Sequence, residues 1–180
     1  MLVSQTQKIN GEKMNNIVLI GFSQCGKTTI GKLLAEKTQQ SFVELETEIE
    51  NEYHQEMRDL KAGMTPEEFK AIGKNALEKL IGRKNKIIAV SSELVEDEEI
   101  AGVLPKIGTV VFLQTDREEI ERRLGEGQGT APEPDVKLDG EALSARIDGQ
   151  ESLFFQSAGI IIQTAGKTPE AIVDEILLLL

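Results

Sequence analysis

The sequence is poor in cysteine, histidine, aromatic residues and positive charge. Its 180 residues include one cysteine, one histidine and no tryptophan, and aromatic residues make up 4% of the chain. A single cysteine excludes an internal disulfide framework and is typical of a reducing, cytoplasmic environment. A single histidine excludes a metal site built from several histidines. With so few aromatic residues, the hydrophobic core must be mainly aliphatic.

Basic residues are clearly outnumbered by acidic ones. Twenty lysines and arginines against 31 aspartates and glutamates give a formal net charge of −11. A nucleic-acid-binding protein needs a basic face, and a peripheral membrane protein presents basic residues to anionic lipid. No apolar run reaches the length of a membrane span, and residues 1–16 lack the apolar stretch of a signal peptide. We therefore expect a cytoplasmic protein that binds neither nucleic acid nor membranes.

Short aliphatic runs alternate with segments of helical periodicity. The aliphatic runs predict five buried strands, at residues 17–20, 42–45, 87–90, 110–113 and 160–162. Helices are predicted at residues 28–38, 46–60, 66–82, 96–104, 116–124, 141–155 and 168–180. This alternation predicts an α/β protein, a three-layer α/β/α fold around a parallel sheet. We expect one domain over residues 16–180, preceded by a flexible N-terminal arm at residues 1–15.

Two segments stand out from this alternation. Residues 125–140 hold four glycines and two prolines and show no periodicity. A long irregular stretch inside a compact domain is usually functional, so we interpret it as a lid, with a solvated insertion as the alternative. The acidic run at residues 93–99 is interpreted as a solvated helix face, because its spacing matches no calcium-binding loop.

The segment Gly21–Thr28 matches the phosphate-binding pattern GxxxxGK[ST], or Walker A motif, between a predicted strand and a predicted helix. Glycines let the backbone wrap a phosphate with its N–H groups, and the helix adds its positive N-terminal end. Lys27 supplies charge for the β- and γ-phosphates, and Thr28 offers a hydroxyl to Mg²⁺. The motif therefore predicts a nucleoside triphosphate site. The predicted nucleotide-binding residues here are Gly21, Ser23, Gln24, Cys25, Gly26, Lys27, Thr28 and Thr29.

Cys25 lies inside this loop and allows two interpretations. A helix N-terminus and Lys27 close by would favour a thiolate and a redox or regulatory role. Alternatively, the position needs only a small buried side chain.

Beyond this motif, the chain resembles the shikimate kinase family from about Asn16 to Leu180. The resemblance rests on the segments 16–21, 28–35, 42–50, 110–113 and 168–180. It implies the P-loop kinase fold, a five-stranded parallel sheet with a mobile lid. It also implies transfer of the γ-phosphate of MgATP to a hydroxyl of a small carboxylic-acid acceptor, with ATP and Mg²⁺ as cofactors.

Several residues at the implied acceptor site depart from the family pattern. Glu44-Leu45-Glu46 stands where the family has Asp-x-Asp. The resemblance implies that Glu44 helps to hold Mg²⁺ and that Glu46 contacts the acceptor hydroxyl. Lys70 stands where the family has an arginine for the substrate carboxylate, so the charge is kept but the bidentate fork is lost. Ser91-Ser92-Glu93 replaces three glycines, and these side chains fill space that the glycines leave open.

Arginines that the family uses are also missing. Ala131-Pro132 stands where the lid has Arg-Pro, and Gln150 stands where a second arginine binds the substrate. The family has an arginine that stacks on adenine, and Arg122 and Arg123 lie near its position. For these two residues, nucleotide binding and a solvated helix end are both open interpretations.

Three functions are compatible with these residues. We favour a small-molecule kinase with a changed acceptor, in which Lys27 and Glu46 are catalytic and Arg123 binds the nucleotide. The loss of arginines fits an uncharged or cationic acceptor better than a carboxylate. The alternatives are a nucleotide-binding regulatory or partner protein with impaired transfer, and shikimate kinase proper. The candidate acceptor-binding residues are Glu46, Lys70, Ser92, Glu93 and Gln150.

Overall fold

The structure, a computed structural model, describes residues 15–95, 97–126 and 140–180. The predicted lid falls outside these residues except at its two ends, and the predicted arm falls outside them except at residue 15. The strands are β1 (Asn16–Ile20), β2 (Ser41–Glu44), β3 (Lys86–Ala89), β4 (Gly108–Gln114) and β5 (Ile160–Gln163). The helices are α1 (Lys27–Thr38), α2 (Leu45–Tyr53), α3 (Met57–Ala62), α4 (Pro66–Glu78), α5 (Glu98–Ala101), α6 (Leu104–Ile107), α7 (Arg117–Glu126), α8 (Gly140–Ser157) and α9 (Pro169–Leu179).

The five strands form one parallel sheet in the order β2-β3-β1-β4-β5. β1 lies at the centre, where Ile17 pairs with Ile87 of β3 and Thr109 of β4. Because all five strands run the same way, the loops after β1, β2 and β3 lie at the same edge of the sheet. The predicted five-stranded parallel sheet is confirmed.

Alternate side chains of the sheet enter two hydrophobic cores. Val18 and Ile20 face the core that is closed by α2 to α8. Ile17 and Leu19 face the other core, which is closed by α1 and α9. The protein therefore has the three layers that the sequence predicts. Within the described residues, no helix combines the length and the apolar character of a membrane span.

The predicted helix at residues 46–60 is wrong, because the chain forms two helices there. His54 adopts a left-handed backbone, with φ of 55°, and ends α2. Tyr53 is the only apolar residue between residues 50 and 56, so little holds a continuous helix against the core. The turn instead lets Leu60 of α3 reach the core, where it is 1% exposed.

The predicted helix at residues 96–104 is also wrong. A 3-10 turn at Glu93–Val95 is followed by two one-turn helices, α5 and α6. Gly102 ends α5, and Pro105 lies in the first turn of α6, where its missing N–H costs nothing. A proline cannot continue a preceding helix, which explains the break.

Asn16 connects the start of β1 to the segments that precede β3 and β4. It is 1% exposed, and its Nδ2 donates to the carbonyl oxygens of Arg83 at 2.7 Å and Ile107 at 3.1 Å. Its Oδ1 accepts from the backbone N–H of Lys86 at 3.1 Å. One buried side chain thus satisfies three backbone groups at the edge of the sheet opposite the phosphate-binding loop.

We predict that Asn16→Ala lowers the free energy of unfolding by about 2–3 kcal/mol, because it leaves buried backbone groups without hydrogen bonds. The matched control is Asn15→Ala, since the Asn15 side chain is exposed. Urea unfolding of the two variants measures the difference. Equal midpoints for both variants would contradict this role of Asn16.

Candidate functional site

The loop after β1 is built around a close backbone approach. A Cβ atom at Gly21 would lie 2.7 Å from the carbonyl oxygen of Leu113 in β4, and the φ of Gly21 is +148°. Gln24 and Gly26 also have positive φ, at 64° and 96°. The backbone N–H of Cys25 donates to the carbonyl of Phe22 at 3.2 Å. Glycine at position 21 is therefore required by space as well as by conformation.

The loop leads directly into the N-terminus of α1. The N–H of Ile30 donates to the carbonyl of Gly26 at 2.9 Å, the first bond of the helical ladder. The N–H groups of Lys27, Thr28 and Thr29 precede it and have no acceptor within the helix. The first turn of α1 has no acidic side chain. This helix end therefore presents backbone donors and a positive dipole to an anion.

The Lys27 ammonium lies over the same loop. Its Nζ donates to the carbonyl oxygens of Gly21 at 2.9 Å and Phe22 at 2.8 Å, and lies 3.8 Å from Cys25 Sγ. Cys25 is 5% exposed and packs in the core beneath the loop, whereas Ser23 is exposed. The loop thus combines the lysine, the backbone donors and the helix end that phosphate binding requires.

Thr28 and Glu44 meet across the edge of the sheet. Glu44 is the last residue of β2, and its Oε1 accepts a hydrogen bond from the Thr28 hydroxyl. Hydroxyl and carboxylate oxygens are hard ligands of the kind that Mg²⁺ prefers. Of the residues that the structure describes, no three acidic, histidine or cysteine side chains form a metal cluster. Mg²⁺ that is bound to phosphate needs only one or two protein oxygens, and the Thr28 hydroxyl and the Glu44 carboxylate could supply them.

Glu46 lies in the first turn of α2, between the lysine of the loop and the end of β3. Burial raises the pKa of its carboxyl above the ordinary value for glutamate. The Ser91 hydroxyl and the Lys27 ammonium offset part of that rise, and the charges of Glu44 and Glu50 add to it. A partly buried carboxyl with a raised pKa beside a lysine is suited to accept a proton.

The other predicted acceptor residues fall in two settings. Ser92 and Gln150 are buried, at 5% and 8% exposure. Glu93 forms an ion pair with Lys61 of α3, whose Nζ lies 6.0 Å from the centroid of the Phe69 ring. The Glu93 side chain is therefore already bound to a lysine within the chain.

Lys70, on α4, is also paired within the chain. Its Nζ lies 2.9 Å from Asp97 Oδ2 and 3.1 Å from Glu99 Oε2, and Glu99 forms a second ion pair with Lys74. Asp97 and Glu99 are not among the predicted site residues, because the acidic run 93–99 favours a solvated helix face. No local sequence pattern signals the pairing, since both residues are far from Lys70 along the chain.

Lys70, Asp97 and Glu99 line a cleft of about 850 Å³ between α4, α5 and α8. Its other wall includes Ser152, Leu153 and Gln156 of α8. The next residue of α8 after Leu153, Phe154, packs edge-to-face on Phe22 of the phosphate-binding loop, with ring centroids 5.2 Å apart. Helix α8 therefore connects the cleft to the loop.

The two arginine candidates lie on α7, which extends to Glu126, beyond the predicted end at residue 124. Arg122 donates from Nε and a terminal nitrogen to Glu119, at 2.8 and 2.9 Å. The side chain of Arg123 lies outside the part of the chain that the structure describes, as do Ala131 and Pro132 of the predicted lid.

Comparison with known proteins agrees with this architecture. Residues 23–180 match the family model of shikimate kinase. The chain is 34% identical to the shikimate kinase of Persephonella marina over 164 residues, which cover 91% of this chain and 98% of that protein.

Solved structures share this fold. The shikimate kinase of Bacteroides thetaiotaomicron has a TM-score of 0.78 and 25% identity, over 93% of this chain and 99% of that one. The Acinetobacter baumannii shikimate kinase, solved in complex with shikimate, has a TM-score of 0.80 and 23% identity, over 92% of each chain. The chain belongs to the shikimate kinase family.

Proposed function

We propose that the protein transfers the γ-phosphoryl group of MgATP to a hydroxyl of a small acceptor that it does not recognise through a carboxylate. The single observation that supports this acceptor class is the pairing of Lys70 with Asp97 and Glu99, at 2.9 and 3.1 Å. The family membership of the chain supports the transfer reaction itself.

The loop after β1 would bind the nucleotide. The free N–H groups at the start of α1 and the Lys27 ammonium would hold the β- and γ-phosphates. Thr28 and Glu44 would hold Mg²⁺, which neutralises charge on the phosphates when bound. Arg123 on α7 keeps its proposed role beside the nucleotide.

Glu46 would accept the proton of the acceptor hydroxyl as its oxygen forms a bond to the γ-phosphorus. The bond between that phosphorus and the bridging oxygen of ADP breaks, and ADP leaves. Lys27 stabilises the negative charge on the transferred group, because its ammonium lies over the loop. Phosphoryl transfer needs mainly positioning and electrostatic stabilisation, and these residues supply both.

Among the described residues, an anionic acceptor finds little unpaired positive charge at the other end of the proposed site. Lys70 is bound to two carboxylates, Lys61 is bound to Glu93, and Gln150 is neutral. A carboxylate would have to displace a carboxylate of the chain to reach Lys70. An uncharged or cationic acceptor needs no such exchange, so the site favours it.

We predict MgATP-dependent ADP release with polyols, amino alcohols or sugars, and slower release with shikimate, in a coupled assay across these acceptors. Turnover on shikimate at ordinary kinase rates, about 1–100 s⁻¹, would contradict the proposed acceptor class.

Lys27→Ala should lower turnover at least about 100-fold, because it removes the positive charge that stabilises the transferred phosphoryl group. Lys32→Ala is the matched control, since Lys32 is an exposed lysine of the same helix.

If MgATP binds by calorimetry and no acceptor is turned over, the protein is a nucleotide-binding module without transfer activity. That outcome would contradict the proposed reaction while leaving the nucleotide site intact.

We also predict a pH signature for Glu46. A base must be deprotonated, so the rate should fall as the pH falls through the pKa of Glu46, which burial raises. Glu46→Gln should lower kcat by about 10²–10⁴-fold and should abolish this acidic limb of the pH profile. Glu48→Gln, an exposed glutamate of the same helix, is the control. A limb that persists unchanged in Glu46→Gln would exclude Glu46 as the base.

A further inference from the structure

The cleft between α4, α5 and α8 has an uneven charge. Among the described residues that line it, Lys70 is the only cation, whereas Asp97, Glu98 and Glu99 are acidic. The described residues of α8 in its wall carry no charge. Of these lining residues, Lys70 alone could give a charged partner to a carboxylate that enters the cleft.

Lys70 is held by two carboxylates at once. A hydrogen bond to Asp97 is the largest cause that raises the pKa of Lys70 above the ordinary value for lysine, and a hydrogen bond to Glu99 is the next largest. The pKa of Asp97 is lowered, chiefly by Lys70, and that of Glu99 is lowered by Lys74 and Lys70. These three groups therefore stay charged and paired across neutral pH.

The position of Asp97 is fixed by the fold. Its carboxylate caps α5 by accepting from the N–H groups of Glu99 at 2.8 Å and Ile100 at 3.4 Å. Ile100 is 3% exposed, so this short helix is anchored in the core. A carboxylate that caps a helix cannot turn away without losing those bonds.

The distance between α4 and this region is fixed as well. Gly73, less than one helical turn after Lys70, lets α4 approach the 3-10 turn at Glu93–Val95 closely. A Cβ at Gly73 would lie 2.8 Å from Leu94 Cδ2. Leu94 is 2% exposed. The packing of α4 against Leu94 thus brings Lys70 within reach of Asp97 and Glu99.

Two segments of the chain run from this cleft toward the proposed reacting groups. The segment that ends in Asp97 and Glu99 begins at Ser91, which lowers the pKa of the Glu46 carboxyl. Helix α8 carries both Leu153, which lines the cleft, and Phe154, which packs on Phe22 of the phosphate-binding loop. These two segments favour the cleft as the place where a small acceptor binds.

We infer that Asp97 and Glu99 are specificity-determining positioning residues that disfavour anionic acceptors by holding the Lys70 ammonium. This inference rests on the proposed function, because it assumes that the cleft receives the acceptor. The two carboxylates act through Lys70 and need no contact with the acceptor themselves.

The test compares shikimate with its methyl ester, which differ by the carboxylate charge. In Asp97→Asn/Glu99→Gln, the asparagine can still cap α5, so the helix is retained. Calorimetry on the full chain should show that wild-type protein binds the ester at least as tightly as the acid. In the double variant, the affinity ratio of acid to ester should rise about tenfold, because Lys70 becomes available to the carboxylate.

Two controls separate the pairing of Lys70 from general charge. Adding Lys70→Met to the double variant should remove the gain. Glu98→Gln removes one charge from the same cleft, and among the described contacts Glu98 forms no ion pair with Lys70. The affinity ratio of acid to ester in this variant should therefore change less than about threefold.

Each outcome decides between the two proposals. An unchanged acid-to-ester ratio in the double variant, or an equal rise in Glu98→Gln, overturns the inference. Binding of neither ligand to any of these proteins also overturns it, whereas turnover on other acceptors would still support the proposed function. A shifted ratio without ADP release supports the inference and contradicts the proposed function.

Discussion

The close approach of Gly21 to the carbonyl of Leu113 is the constraint on which the rest of the site depends. With 2.7 Å between that oxygen and the place of a Cβ, the chain can turn from β1 into α1 only through glycine. The turn directs the free N–H groups of α1 and the Lys27 ammonium toward the edge where β2 and β3 also end. Glu44, Glu46 and Ser91 reach the same edge because all these strands are parallel.

The two halves of the site differ in how their positive charge is used. In the proposed nucleotide half, the described hydrogen bonds of Lys27 go to two neutral carbonyl oxygens and a thiol, which a phosphate can replace at low cost. In the acceptor half, Lys61 and Lys70 are bound to carboxylates of the chain. Part of the excess acid in the sequence thus pairs with these two lysines, and the proposed function takes this pairing as the reason that a second anion binds less readily than phosphate.

The sequence predicts the sheet and the phosphate-binding loop because both depend on local pattern. Buried parallel strands appear as unbroken aliphatic runs, and the loop has a fixed spacing of glycines, Lys27 and Thr28. The boundary within residues 46–60 could not be predicted, because tertiary contacts of Leu60 decide it. The break within residues 96–104 is different, because Gly102 and Pro105 are helix-ending signals that the sequence itself carries. The partners of Lys70 could not be predicted either. Asp97 and Glu99 lie 27 and 29 residues away, and tertiary packing such as that of Gly73 against Leu94 brings them together.

The most direct test of this account is a crystal structure of the protein with MgADP, soaked in shikimate. The account predicts that the Lys70 ammonium stays within hydrogen-bond distance of Asp97 and Glu99, as in the structure described, at 2.9 and 3.1 Å. The carboxylate of any bound shikimate should then lie away from Lys70. A structure in which Lys70 leaves both side chains and binds the shikimate carboxylate would contradict the central claim.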